Sequence, residues 1–290
     1  MIEQALYNHL STQDVLAPYL TTYADKLAIF NQEAPADEDC LWGEGSQYGR
    51  IVFEEDIQGD PERTMGGTLA VDIMCKEDEQ FPEEIEPIVR HLIHGYFFFN
   101  GKFAAAAQFK NLSYFKQPTD HVTGCTLTFD LLAFPVMTTA VPDVISRINE
   151  WSSHIPNILV INHDSLPNTA WKPTEGESAV YWRCGPEVPA GWIPDTFQTV
   201  WRKTTVYCHI FSTDISTMGE VARDIVYRLY ATKRLLKDGE TPLMVNPKNS
   251  INFGADPLRT GQVTVEATFA VIVHRGPDGN LENIRYDQRQ

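Results

Sequence analysis

The 290-residue chain lacks the motifs by which most enzymes are identified. It contains no Cys-x-x-Cys pair, no Gly-x-Ser-x-Gly elbow and no glycine loop ending in Gly-Lys-Ser or Gly-Lys-Thr. Zinc ribbons, α/β-hydrolases and P-loop proteins each depend on one of these patterns. Gly43-x-Gly45 and Gly66-Gly67 also lack the spacing of a dinucleotide fingerprint. We therefore expect no cofactor and no bound metal.

Basic residues and long apolar runs are also scarce. The chain has 39 acidic and 23 basic residues, a formal net charge of −16. Binding through phosphates needs a basic surface, so specific nucleic-acid binding is not expected. An acidic wall would still let DNA pass without adhering to it. The apolar runs are too short to span a bilayer, and the first ten residues lack the apolar core of a signal peptide, so we expect no membrane contact.

The five cysteines are odd in number and widely spaced, at positions 40, 75, 125, 184 and 208. Cys75, Cys125 and Cys208 lie inside alternating stretches, where a thiol serves as a small apolar filler. This pattern predicts reduced thiols and a cytosolic compartment.

The most informative pattern is a unit that occurs twice. Each copy begins with a stretch in which apolar and polar residues alternate, followed by a polar turn and an amphipathic helix. A long connection and a second alternating stretch, which begins with glycine, complete the copy. The first copy comprises Thr68–Cys75, residues 82–98 and Gly124–Phe134; the second comprises Thr204–Ser212, residues 217–236 and Gly261–Val273. The two leading glycines are 137 residues apart, and the identity between the copies is low. An internal repeat of this kind sets the architecture before any site is considered.

The length fits two domains, and the repeat predicts how they are built. We predict an α+β protein with two tandem similar domains, residues 1–135 and 142–275. Each is expected to be a small, mainly antiparallel or mixed sheet packed against helices. Residues 276–290 have no apolar periodicity and predict a flexible C-terminal tail.

Local signals give the expected elements. Apolar spacing predicts a helix over residues 2–24, broken near Ser11, and another over residues 82–98. The pair Thr217-x-x-Glu220 predicts a capping box at the start of the main helix of the second half. Strands are predicted at Arg50–Ile57, with a return strand at 68–75, and at 158–161 and 178–183. Residues 185–195 are expected to form an insertion absent from the first half.

Two histidine patterns are candidates for chemistry, and both are weak. His91 and His94 lie three apart on a predicted helix, but no third ligand is nearby in the sequence, so ordinary surface histidines explain them better. Cys208 and His209 are adjacent on a predicted strand and therefore point to opposite faces. We do not expect an enzyme.

The predicted hairpin over residues 50–75 carries a candidate inter-subunit contact. It places Arg50, Asp60, Glu62 and Arg63 at the ends of a strand pair, where Arg63 could pair with a neighbour's carboxylate. A solvated hairpin is the alternative. Tryptophans are concentrated in the predicted loops of the second half, which fits either an interface or loops packed over a small core; they are Trp171, Trp182, Trp192 and Trp201.

Residues 1–135 resemble the tail terminator family (also called tail completion or minor tail proteins) of long-tailed bacteriophages and prophages. The similarity rests on the N-terminal helix, the segment AIFNQEAPADEDCLW (28–42), QYGRIVFEEDIQGDPER (47–63) and the GTLAVDI strand with the helix and strand that follow it. Single-copy members are about half as long as this chain, so a two-domain form departs from the family.

The resemblance implies an α+β fold and a structural role without catalytic residues. Members form a ring on the end of the tail tube, stop its growth and offer a surface for joining the head. This chain would then form a trimer or hexamer and meet the tail tube protein and a head completion or connector protein. DNA would pass through an acidic lumen. Its location would be the virion tail and, during assembly, the bacterial host cytoplasm.

Two other functions stay open at this point. One is a different virion joint, such as a head–tail connector or a baseplate protein. The other is a cytosolic enzyme with a cleft between its two domains, lined by His91, His94 or Asp60.

Overall fold

The chain is an α+β protein built from two compact units. The computed structural model describes residues 2–35, 49–57, 65–99, 103–117, 121–139, 142–161, 170–196, 198–236, 241–252 and 261–273. The first unit comprises Met1–Pro135 and Pro167–Lys172, and the second comprises Val136–Leu166 and Pro173–Gln290. The predicted tail, 276–290, lies outside the described residues. None of the described helices is long and apolar enough to cross a bilayer.

The described residues of the first unit form two α-helices and eight strands. In chain order they are α1 (Ile2–Ser11), β1 (Thr22–Tyr23), β2 (Lys26–Leu27), β3 (Ile29–Asn31), β4 (Arg50–Ile57), β5 (Met65–Lys76), α2 (Pro82–Ile93), β6 (Phe97–Phe99), β7 (Phe103–Gln117) and β8 (Val122–Pro135). The strands β1 and β2 form a separate small hairpin, and the other six form one sheet in the order β3-β4-β5-β8-β7-β6. Of these described strands only β3 and β4 run parallel, and the other pairs in the sheet are antiparallel.

Strict alternation gives the first sheet one apolar face. Along β4, Ile51 and Phe53 are fully buried, whereas Val52 between them is half-buried and Glu54 is exposed. Both helices of this unit pack on the apolar face. The resulting core contains Leu6 and Leu10 of α1, Ile85, Val89 and Ile93 of α2, and Ile51, Phe53, Leu69, Val71, Ile73, Leu127 and Phe129 of the sheet.

In the part of the second unit that the structure describes there are two α-helices and seven strands. They are α3 (Val144–Ser153), β9 (Ile158–Ile161), β10 (Ser178–Cys184), β11 (Val188–Pro189), β12 (Thr199–Phe211), α4 (Ile215–Thr232), β13 (Arg234–Leu235), β14 (Leu243–Ile251) and β15 (Val263–Ile272). The sheet order is β13-β14-β15-β12-β10-β9, with β11 paired to β12. Only β9 and β10 run parallel. The two helices share one core with this sheet, centred on Trp182, Cys208, Ile225 and Val265.

The strand orders of the two sheets correspond position by position. Each unit starts with a helix and a short strand that runs parallel to the next strand. A third strand follows, then a helix, and then three strands that return to the sheet in reverse order. The last strand lies beside the third in both units. Among the described residues three strands have no counterpart: β1 and β2, which form the small hairpin of the first unit, and β11, which lies in the segment 185–195 predicted as an insertion.

Two predicted helices are too long. The helix predicted over 82–98 ends at Ile93, because Gly95 takes a positive φ of 79° and residues Phe97–Phe99 pair with β7 as strand β6. The helix predicted over 2–24 ends at Ser11. Its second part is replaced by a 3₁₀ turn at Asp14–Leu16 and the β1–β2 hairpin.

The predicted capping box of the second half is also wrong. Helix α4 begins at Ile215, and its N-cap is Asp214. The Asp214 carboxylate accepts hydrogen bonds from the Thr217 N–H at 2.9 Å and from the Thr217 hydroxyl at 2.7 Å. An aspartate satisfies the free N–H groups of the first turn as well as threonine does, so the helix begins three residues earlier than predicted.

We expect the two faces of β4 to differ sharply in their contribution to stability. Phe53→Ala removes a fully buried ring and should lower the free energy of unfolding of its unit by about 3–5 kcal/mol. Val52→Ala, one residue away on the other face, should cost less than about 1 kcal/mol. Urea denaturation followed by circular dichroism measures both. Equal losses would contradict the register of this strand.

Candidate functional site

The candidate site begins with a difference in length between two neighbouring strands. Strand β7 has 15 residues, whereas β6, which pairs with its outer side, has 3. Past the end of β6, the Phe109 N–H donates to Nδ1 of His94 at 3.0 Å. Among the described residues no strand pairs with the outer side of residues 110–117, which we call the β7 edge. An edge of this kind presents backbone donors and acceptors to a further strand.

The side chains of the β7 edge leave the backbone approachable. Lys110 pairs with Asp130 at 3.0 Å, and Lys116 pairs with Glu77. Lysine on an edge normally discourages pairing, but here both charges are matched within the unit. Tyr114 is 52% exposed and offers an aromatic ring beside the edge.

The corresponding edge of the second unit is protected. Strand β14 carries Pro247, which has no N–H to donate, and its register against β15 shifts between Pro247 and Ile251. The Pro247 carbonyl accepts a hydrogen bond from the Tyr230 hydroxyl at 3.2 Å. Strand β7 also has a bulge, between Phe109 and Asn111, but it contains no proline, so Pro247 is the feature that distinguishes the two edges.

The sheet face opposite the helices is acidic in the first unit. Four carboxylates lie on it, Glu54 and Asp56 of β4, Asp72 of β5 and Asp130 of β8. Glu54 and Asp56 are exposed. Asp72 accepts a hydrogen bond from the Thr126 hydroxyl at 2.6 Å. Lys110, which pairs with Asp130, shares this face with Arg50 of β4 and Lys76 of β5, so its four carboxylates exceed its three cations by one.

Of the four predicted contact residues, the structure describes only Arg50. Arg50 pairs with Met74 in the β4–β5 register, seven residues from the Ile57–Gly67 pair. At about 3.3 Å per residue this places Arg50 roughly 23 Å from that pair. Its Nε lies 3.2 Å from the Met74 sulfur. Asp60, Glu62 and Arg63 lie outside the described residues, so their predicted contact stays a prediction.

The histidine patterns behave as ordinary packing groups. Nδ1 of His94 is taken by the Phe109 N–H, and no group of three or more His, Cys, Asp or Glu side chains that could hold a metal occurs in the described part of the chain. Cys208 packs in the core with the helices. His209 is buried on the opposite face, with its ring 5.7 Å from that of Tyr181. The expectation that Cys208 and His209 point to opposite faces is confirmed.

The tryptophans do not form the loop cluster that the sequence suggested. Trp182 lies in β10, is fully buried and donates its indole N–H to the Ser152 hydroxyl at 2.9 Å. Trp201 lies in β12, and Trp192 is 61% exposed. Trp171 belongs to the first unit, where its backbone forms a two-way bridge with Phe97.

Sequence reasoning missed the β7 edge altogether. Residues Ala104–Ala107 have no alternation of apolar and polar types, because this part of the strand is buried on both sides. The sequence does contain one signal of a strand here. Leu112 and Tyr114, two positions apart, both lie on the core side of β7.

Comparison with known proteins gives no relative for this chain: no family model, no curated protein and no solved structure matches it.

The described cysteines should be unreactive while the protein is folded. Burial raises the pKa of the Cys75, Cys125 and Cys184 thiols to about 12, and that of Cys208 well above its usual range. At pH 8 a thiol with a pKa of about 12 is ionised to about one part in ten thousand, against roughly a quarter for an ordinary thiol. In a Cys40→Ser background we expect Ellman's reagent to react slowly in buffer and rapidly in urea.

The raised pKa values also set a pH limit on stability. The pKa values of these thiols are higher in the folded than in the unfolded protein. Their contribution to the free energy of unfolding is therefore complete below about pH 8 and is lost as the pH rises toward 12. Rapid labelling of the native Cys40→Ser protein at pH 8 would contradict the burial of these thiols.

Proposed function

We propose that this chain is a structural assembly protein of a long-tailed phage or prophage. It forms a ring that ends the tail tube and helps to join the tail to the head. The observation that carries the proposal is the strand order that occurs twice in one chain, since we infer that it arose by tandem duplication of a tail-terminator-like unit. The resemblance of residues 1–135 to that family supplies the biological setting.

A duplicated chain suits a ring because each copy brings two quasi-equivalent units. Three chains then supply six units, and six chains supply twelve. A ring closes through head-to-tail contacts between unlike surfaces of neighbouring copies. The unpaired β7 edge in the first unit, and the protected β14 edge in the second, supply that asymmetry. We propose that the β7 edge accepts a strand from the neighbouring chain.

The acidic sheet face fits a surface past which DNA moves. Glu54 and Asp56 are exposed and Asp72 and Asp130 lie beside them, so this face repels a phosphate backbone. We propose that it lines the lumen of the ring. Such a role needs no catalytic residue, no cofactor and no metal, and its partners are other copies, the tail tube protein and a head completion or connector protein.

We expect the purified protein to assemble in solution. Light scattering across a range of concentrations should give the mass of a trimer or a hexamer. Co-sedimentation with purified tail tube subunits tests the position on the tube. A protein that stays monomeric at high concentration and does not associate with tube subunits would contradict the proposal.

Proline in the β7 edge should block assembly without unfolding the unit. Successive strand residues direct their N–H groups to opposite sides, so of Ser113→Pro and Tyr114→Pro one removes an outward-facing donor. That variant should keep its circular dichroism spectrum and sediment as a monomer. Ser113→Ala and Tyr114→Ala keep the N–H and should assemble normally. Assembly by both proline variants would exclude strand addition at this edge.

A further inference from the structure

A cleft of about 420 Å³ in the first unit collects positive charge in an otherwise acidic protein. The side chains that line it are Pro87, Arg90, His91, His94, Phe109 and Lys172. Four of these six carry or can carry a positive charge, and no carboxylate is among the described residues that line the cleft. The net charge of −16 makes such a concentration informative.

Two separate parts of the chain bring these cations together. Arg90, His91 and His94 lie at the C-terminal end of α2. Lys172 comes from the segment between β9 and β10, and the backbone bridge between Trp171 and Phe97 holds that segment against the edge of β6. The Lys172 ammonium lies 5.3 Å from the centre of the Tyr96 ring. Cε of Lys172 lies beside Gly95, 3.5 Å from the position that a Cβ would take there.

The positive charge of the cleft is only partly neutralised. Arg90 pairs through Nε with the buried carboxylate of Glu86 at 3.1 Å, and its guanidinium lies 5.1 Å from the Phe109 ring centre. An arginine has five N–H donors, so the pair with Glu86 leaves N–H groups of Arg90 that can bind another acceptor. Lys172 has three donors, and the cleft offers it no carboxylate.

The end of α2 does not repel an anion as a bare helix C-terminus would. The carbonyl of Arg90 accepts from the His94 N–H at 2.8 Å, and that of Ile93 accepts from the Tyr96 N–H at 3.1 Å. The Leu92 carbonyl is bonded to Nε2 of His9 at 2.8 Å. These bonds satisfy carbonyls that would otherwise give the helix end its negative character.

His94 is fixed in one orientation. Its Nδ1 accepts from the Phe109 N–H, so neutral His94 carries its proton on Nε2 as a donor. Burial, and then Lys172 and Arg90, hold the pKa of His94 below its usual range. An anion between these groups would relieve the repulsion among them.

We propose that this cleft binds the phosphate group of a small molecule. Several cationic groups from two segments suit a doubly charged oxyanion, whereas a single carboxylate is matched by one arginine. The acidic sheet face of the same unit disfavours a nucleic acid as the source of that phosphate. The site does not depend on the proposed role in tail assembly.

The direct test is a calorimetric titration of the full chain with inorganic phosphate at pH 7 in chloride buffer. Wild type should bind one phosphate per chain, and Lys172→Gln should weaken binding about tenfold, the effect of losing one charge-assisted bond. Lys26→Gln removes an exposed lysine outside the cleft and should bind as wild type does. Loss of binding in Lys26→Gln as well, or no binding by wild type, would overturn the proposal.

Two further probes separate the possible sources. Glutamate at the same concentration tests a carboxylate, and a 20-base-pair duplex at the same phosphate concentration tests a nucleic acid. We expect neither to compete with inorganic phosphate. Competition by glutamate would overturn the choice of phosphate, and competition by the duplex would overturn the choice of a small molecule.

Nuclear magnetic resonance of the histidine rings gives a readout that folding defects do not mimic. Phosphate should raise the pKa of His94, because the anion offsets the charges of Lys172 and Arg90. The ring signals of His121, an exposed histidine that faces Glu77 at 3.7 Å outside the cleft, should not move when phosphate is added. Equal movement of the ring signals of His94 and His121 would mean a general salt effect and would overturn the site.

Discussion

Each unit depends on one long-range pairing of strands. In the first unit β5 and β8 are separated by 45 residues, yet they pair from Lys76–Val122 to Met65–Leu132. This pair joins two hairpins, β4–β5 and β7–β8, into one sheet, and α2, which lies between them in sequence, contacts β5, β7 and β8. In the second unit β12 and β15 hold the same place, and α4 again connects the third strand to the last three. Without this pairing neither helix would have a continuous apolar face to cover.

The central pairing also explains two glycines. Gly124 begins the core part of β8, and a Cβ there would lie 2.5 Å from the Ile73 carbonyl oxygen. Gly261 precedes β15, and a Cβ there would lie 3.0 Å from the Cys208 carbonyl oxygen. In both units a residue without a side chain stands near the start of the last strand. There it lets the last strand approach the third strand closely. The leading glycine of each repeat therefore has a local steric cause.

Alternation made much of the fold predictable. Strands β4 and β5 were expected from alternation, β9 and β10 were also predicted as strands, and the structure contains all four. Features set by distant contacts were not predictable. The sequence near Phe97–Phe99 continues a helical pattern, and only pairing with Ala104–Ala106 makes it a strand. Strand β7 was missed because burial on both faces removes alternation. Lys172 gave no sign of meeting α2, since it lies about 80 residues away and belongs to the first unit only through the Trp171 bridge.

The first unit has two groups of charges that act over different distances. Its sheet face carries exposed carboxylates, and the whole chain is strongly negative, so a phosphate polymer is repelled over roughly a Debye length, about 8 Å in physiological salt. The cleft at the end of α2 acts only at hydrogen-bond distance, through Arg90 and Lys172. A small phosphate has few charges to be repelled and can reach those donors, whereas a duplex must bring its whole backbone near the carboxylates. One unit can therefore exclude DNA from its surface and still hold a single phosphate group.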